Sequence, residues 1–316
     1  MRALVLQGSA PRITRKHPDP DRPDEAVIRL LKAGVCSTDL ELIKGYMGFE
    51  GVLGHEFVGL VEQAPERGWV GRRVVGEINC PCRACPTCAA GRPTHCPNRT
   101  VLGIQNRGGV FADRFSLPLH NLHFVPDFVS DDAAVFVEPL AAACRILEQL
   151  HIAPTDRITV LGVGRLGQLC ARVLALTGAS VAAVSRNPAL LGLLPPGILR
   201  LTPDEVALAE GSDVVVDCTG SAEGLEQATA LVRPSGTIVL KTTVADPGPV
   251  TPIPWVIDEV TLVGSRCGPF EPAIRLLASG RVDPRPLISH TFCLQDGLEA
   301  LDVAGTRDSV KVLLQP

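Results

Sequence analysis

Three glycines, Gly162, Gly164 and Gly167, stand in the spacing G-x-G-x-x-G, and their surroundings restrict what this chain can fold into. The run Ile158–Leu161 directly before them reads as a strand, and Leu166–Leu176 directly after them reads as a helix. In that context Gly162 permits a tight turn, Gly164 lets the backbone approach a pyrophosphate, and Gly167 lets the helix pack on the strand. Arg165 and Leu166 lie in the first helical turn, where free N–H groups face an anion. Strand, turn and helix together form a dinucleotide-binding fingerprint. The alternative is a glycine turn in a fold that binds no nucleotide.

The surrounding pattern extends this unit. Val181–Val184, Val214–Asp217, Thr237–Leu240 and Thr261–Val263 read as further strands, and Ala222–Leu231 as a helix. Strands alternating with helices predict βαβ units, hence a doubly wound parallel sheet covered on both faces. The first 125 or so residues differ: they are rich in Pro and Gly, with short alternating runs at Ala26–Leu31, Phe57–Gln63 and Arg73–Ile78 that predict a β-rich domain. A helix is predicted over Asp131–Leu150, another over Glu271–Ser279, and a strand over Val310–Leu314. The chain of 316 residues, 46% of them apolar, has enough material for two cores.

The end of the second strand of the βαβ series bears on the nucleotide. An Asp or Glu there would take a ribose diol and repel a 2′-phosphate. Ser185 stands there, followed by Arg186. A hydroxyl and a guanidinium suit a 2′-phosphate, so NADP(H) is expected in preference to NAD(H). The other reading of Arg186 is a solvated surface charge, with either cofactor accepted.

Two cysteine-containing constellations lie in the β-rich part. Cys82, Cys85, Cys88 and Cys96 follow C-x2-C-x2-C-x7-C, among Pro81, Pro86, Gly91 and Pro93 and almost no apolar residue. Four thiolates from one loop suit a closed tetrahedral zinc site of the structural kind. Free thiols or an iron–sulfur ligand set are the alternatives. The second constellation is Cys36-Ser-Thr-Asp39 with Gly54-His55-Glu56 and, further on, Glu138. Cys36, His55 and a carboxylate would give zinc three protein ligands and an open fourth position, the arrangement of a catalytic site. Each residue alone has a structural explanation; their company favours the metal.

With these motifs in place, the chain resembles a zinc-dependent medium-chain dehydrogenase/reductase of the alcohol dehydrogenase superfamily. Gly54-His55-Glu56-x-x-Gly59, the four-cysteine lobe and the glycine turn occur in that family's order. Glu138, in Val-Glu-Pro-Leu-Ala, is similar to the branch of polyol, threonine and glucose dehydrogenases. The resemblance implies an α/β chain with a GroES-like catalytic domain over 1–125 carrying a zinc lobe at 80–97. A Rossmann domain would follow over 126–264, and residues 265–316 would return to the catalytic domain. It implies two zinc ions per chain: a structural one on the four cysteines, and a catalytic one on Cys36 and His55. Glu56 would be a ligand of the latter or sit just behind it, and Glu138 a direct or water-bridged ligand. Thr38 would hydrogen-bond the reacting oxygen and relay its proton, and Asp39 would support the metal site. Thr219 would lie along the cofactor, and Lys311 would reach the pyrophosphate or sit at the surface. The implied reaction is hydride transfer between NADP(H) and an alcohol or polyol, or its aldehyde or ketone.

Departures from that pattern are Pro65, Ser37 in place of a basic residue, and Glu41 where a relay histidine often stands. A zinc-free quinone or enoyl reductase and a non-catalytic nucleotide-binding protein are the competing readings on the same fold. Tyr46, Met47, Phe49 and Trp255 are candidates for the substrate pocket by position, each with an equally good structural reading. The net charge of −4 gives no electrostatic footprint for nucleic acid or an anionic membrane. The opening apolar run reads as too short for a signal peptide. Eleven cysteines read as thiols or metal ligands of a cytoplasmic protein rather than as disulfides. The resemblance implies a homodimer or homotetramer.

Overall fold

The computed structural model describes residues 1–8, 10–242 and 250–316. These form two compact units, one of Met1–Glu138 with Phe270–Pro316 and one of Pro139–Pro269.

The second unit is built on six strands: β1 (Arg157–Leu161), β2 (Ser180–Val184), β3 (Leu199–Leu201), β4 (Ser212–Asp217), β5 (Val232–Leu240) and β6 (Thr261–Gly264). All neighbours are parallel, in the order β3-β2-β1-β4-β5-β6. This is the doubly wound order, with its switch point between β1 and β4. Val160, Val215, Val216, Ile238 and Val239 are wholly buried, as strands covered on both faces require. Helix α1 (Arg165–Ala175) lays Leu169, Cys170, Val173 and Leu174 onto the sheet. Helices α2 (Pro188–Gly192) and α3 (Glu223–Leu231) follow β2 and β4. Strand β3 escapes a reading of the sequence because it has three residues and half-exposed Leu199 at its start.

In the first unit a larger sheet runs in the order 122–124, 73–76, 56–63, 26–34, 311–315, 288–293, with 114–117 also pairing 26–34. Strand Ala26–Gly34 therefore has Glu56–Gln63 on one side and Lys311–Gln315 on the other. The register sets Gly34 opposite Glu56. The sheet brings residues from three distant stretches of sequence to one place.

The helix expected over Asp131–Leu150 is two helices, Asp131–Ala134 and Val137–Gln149. Pro139 has no N–H to give the Val135 carbonyl, so the ladder breaks there and Pro139 falls in the first turn of the second helix. Strand Ile288–Cys293 and helix Gly297–Ala304 add to the elements expected after Gly264. Among the described residues no helix is long and apolar enough to cross a membrane.

Candidate active site and metal centres

Cys36 leaves strand Ala26–Gly34 and caps the helix Ser37–Ile43. The cap is reciprocal: Asp39, in the first turn, accepts the Cys36 backbone N–H at 2.8 Å on Oδ2. Its other oxygen accepts the Gly54 N–H at 3.1 Å. Asp39 is wholly buried, so this carboxylate pins the Cys36 turn to the Gly54-His55-Glu56 segment. The ligand atoms of Cys36, His55 and Glu56 consequently lie within 4.8 Å of one another.

His55 Nδ1 lies 3.4 Å from Asp39 Oδ1, without a well-aligned hydrogen bond. Burial disfavours the imidazolium, but the charges of Asp39 and then Cys36 outweigh it, and the pKa rises well above 6.5. Asp39 and Glu56 are buried carboxylates and Lys311 is a buried ammonium. The excess of negative charge asks for another cation, which a proton on His55 or a metal ion can supply. A thiol, an imidazole and a carboxylate form a donor set that fits zinc and leaves a coordination position open.

Lys311 overturns its expected place. It is 2% exposed, ion-paired to Glu56 Oε2, 3.5 Å from the Val35 carbonyl, and its Nζ lies 5.5 Å from the centre of the Phe136 ring. It is neither a surface lysine nor a group available to a pyrophosphate. A side chain at Gly34 would overlap the Glu56 carboxylate, so a residue without Cβ is needed opposite it. Glu138 is half-buried at the start of helix Val137–Gln149, and its carboxylate is outside the group that converges on Cys36 and His55.

Thr38 is half-buried, with Oγ1 3.7 Å from Cys36 Sγ. Glu41 is exposed and pairs with Lys44 at 2.8 Å. Of the pocket candidates, Tyr46 and Met47 are exposed and Phe49 is buried. Trp255 donates its indole N–H to Thr229 Oγ1 of α3 at 2.8 Å, a structural use.

The four-cysteine loop is built from short turns, with Pro86 opening helix Pro86–Ala89. The sulfur separations are 3.5 Å for Cys85–Cys88, 3.7 Å for Cys85–Cys96 and 3.5 Å for Cys82–Cys96. A disulfide would need about 2.05 Å. Zinc–sulfur bonds of about 2.3 Å would place sulfurs about 3.8 Å apart along a tetrahedral edge, so the loop fits the ion. Backbone N–H groups, Ala84's first, lower Cys82 to about 6, while desolvation and the adjacent sulfurs raise Cys88 to about 12. Four crowded sulfurs cannot all shed their protons without a cation between them. Cys80 stands apart from this group: it is buried beside Thr100 and the Arg107–Glu25 ion pair, and burial raises its thiol to about 11.

In the second unit Gly162 turns between β1 and α1 with φ +80°, and a Cβ there would meet the Cys218 carbonyl at 2.8 Å. A Cβ on Gly167 would overlap the Gly162 carbonyl, whereas one on Gly164 would meet nothing within 4 Å. Gly162 and Gly167 are thus required by the protein itself, and Gly164 keeps a space clear in front of the turn. Gly164 is the N-cap of α1 and brings no side chain to its first N–H groups, which suits an incoming phosphate. Arg165 and Leu166 are half-buried beside it. Ser185 directly follows β2, is 9% exposed, and accepts the Asn187 N–H on Oγ at 3.1 Å; Arg186 is exposed. Thr219 follows β4, its N–H and hydroxyl both donating to Asp217 Oδ1, at 2.9 and 2.7 Å.

Residues 22–127 match the alcohol dehydrogenase GroES-like domain family. The chain is 29% identical over 303 residues to 2-dehydro-3-deoxy-L-galactonate 5-dehydrogenase of Pseudoalteromonas atlantica, covering 89% of each. It is 29% identical to sorbitol dehydrogenase of Halalkalibacterium halodurans, covering 100% of this chain and 99% of that one. Among solved structures, a Sinorhizobium meliloti 1021 protein bound to NADP superposes with a TM-score of 0.91 at 27% identity, covering 100% of this chain and 99% of that one. The fold, the two clusters and these likenesses define a zinc-type oxidoreductase of the alcohol and polyol dehydrogenase kind. Residues 22–127 carry the alcohol dehydrogenase GroES-like domain, and the chain over nearly its whole length is similar to zinc-type alcohol and polyol dehydrogenases.

Proposed function

We propose that this protein exchanges hydride between NADP(H) and a secondary alcohol or polyol, or the matching carbonyl compound, with one catalytic and one structural zinc per chain. The observation that carries the reading is the convergence of half-buried Cys36 with buried His55 and Glu56 in a chain that also holds the Gly162 turn. Zinc held by those three would supply Lewis acidity at the substrate oxygen, and the nicotinamide would take or give the hydride.

The chain's own residues do the remaining work. Asp39 fixes the Cys36 turn and faces His55, holding two donors in place. Lys311 holds Glu56 from the opposite side. Thr38 takes the proton released at the substrate oxygen and passes it outward. The free N–H groups of α1 receive the pyrophosphate, and Thr219, fixed by Asp217, borders the cofactor.

The preference for NADP(H) rests on Ser185 and Arg186 at the end of β2, where no carboxylate opposes a 2′-phosphate. The NADP-bound relative supports the same choice. The polyol-acting relatives favour a substrate with neighbouring hydroxyls. The test is metal analysis of the purified chain with a panel of alcohols, polyols, aldehydes and ketones, read by nicotinamide absorbance with both cofactors. Two zinc ions per chain and higher kcat/KM with NADP(H) are expected. A chain with one zinc or none, or better turnover with NAD(H), contradicts the corresponding part of the reading.

A further inference from the structure

A buried polar network in the second unit joins two parts of the nucleotide site that the strand ladder leaves to separate loops. Gln168, in the first half of α1, is wholly buried. Its Nε2 donates to the Val163 carbonyl of the glycine turn at 3.2 Å and to the Leu190 carbonyl of α2 at 2.6 Å. Its Oε1 accepts from Arg172 Nη1 at 2.6 Å. Arg172 can only donate, so the amide orientation is fixed by its partners. The guanidinium, 7% exposed, also donates to the Gln168 carbonyl at 3.1 Å and, through Nη2, to the Leu193 carbonyl at 2.7 Å.

The far end of this network is the segment that carries Ser185 and Arg186. Helix α2 is capped by Asn187, whose Oδ1 accepts the Ala189 N–H at 3.0 Å. The Asn187 N–H in turn donates to Ser185 Oγ. Ser185 itself is held to the sheet through its N–H on the Leu201 carbonyl, at 3.0 Å. The loop from 185 to 193 is thus fixed to the sheet at one end, and to Gln168 and Arg172 at the other. A glutamine suits this place because one amide supplies two donors and an acceptor in a single plane.

We propose that Gln168 is a positioning residue for cofactor discrimination. By tying the phosphate-binding turn to α2, it sets the distance between the pyrophosphate and the Ser185-Arg186 pair that meets the ribose 2′ position. Contacts to a phosphate are directional, so a loop that drifts loses the discrimination before it loses the dinucleotide. The inference rests on the cofactor reading above.

The experiment measures dissociation constants for NADP(H) and NAD(H) by calorimetry, with Tm, on the zinc-loaded protein. Gln168→Glu keeps an acceptor for Arg172 and removes both tethers; Gln168→Met removes all three contacts and serves if the first variant does not fold. Thr159→Val, which breaks the buried Thr159–Ser212 hydrogen bond in the sheet, controls for lost stability alone. Loss of the tethers should shift the ratio of the two constants about tenfold toward one, while Thr159→Val with a similar Tm leaves it unchanged. An unchanged ratio in the Gln168 variants, or an equal shift in Thr159→Val, overturns the proposal. Wild-type preference for NAD(H) overturns the cofactor reading alone, and the inference is then judged by whether the ratio moves. A wild-type ratio of one overturns both.

Discussion

In the loop of residues 82–96 the donors are all sulfur and come from one short stretch, with turns and prolines around them. In the other cluster the donors are sulfur, nitrogen and oxygen, and His55 and Glu56, 3% and 1% exposed, face buried Asp39 and buried Lys311. The loop has no core of its own, so the ion is what would organise it. The other cluster has protein groups to hold its donors, Asp39 on one side and Lys311 on the other. A set of four equal ligands closes a shell; a set of three unequal ones, fixed by the fold, leaves room for chemistry.

The comparison is broken most directly at His55. His55→Ala should lower kcat by about a thousandfold or more and reduce the metal content by one zinc per chain. Calorimetry should still detect cofactor binding. Activity retained in that variant would remove the buried cluster from the reaction. Lys311→Met leaves the Glu56 carboxylate buried and unpaired, and should cost about 3–5 kcal/mol of stability in metal-free protein by chemical denaturation. Zinc binding should recover part of that loss, since a cation again faces the carboxylate. Cys96→Ser should lose the loop's zinc and about 10 °C of Tm while kcat at low temperature stays near wild type. A large fall in kcat would make the loop more than a fastener.

Acidity sharpens the contrast with a smaller effect. The His55 pKa is raised in the folded chain, so its proton stabilises the metal-free fold fully below pH 6.5, and that contribution is lost as pH climbs through the raised value. Zinc must displace the same proton. Its affinity for the buried cluster should therefore rise with pH by about tenfold per unit per proton released, up to that raised pKa. Competition with a chromophoric chelator across the neutral range measures this. An affinity that is flat with pH would mean His55 is not displaced.

Much of this is written locally in the chain. The cysteine spacing, Gly-His-Glu and the glycine turn are short motifs whose geometry follows from a few consecutive residues, and the alternation of strands and helices gives the parallel sheet. What escapes is non-local. Lys311 lies in a strand of apolar residues, and nothing near it in the sequence reveals that a glutamate at position 56 is its partner. Glu138 carries the right chemistry in the right order, yet its place depends on where the second helix begins, at Val137, two residues before Pro139. Gln168 reads as an ordinary helix residue until the chain after β2 folds back over it.

The Glu56–Lys311 pair also orders events in time. Its members are 255 residues apart. At 5–20 residues per second, a ribosome takes roughly 10–50 s to deliver the second after the first. During that interval the Rossmann unit, continuous from 139 to 269, can form its whole sheet, while the older segment bearing Cys36 and His55 still lacks the strand that neutralises its carboxylate. The cluster of Cys36, His55 and Glu56 therefore waits for its counter-charge until all of the intervening chain has been made.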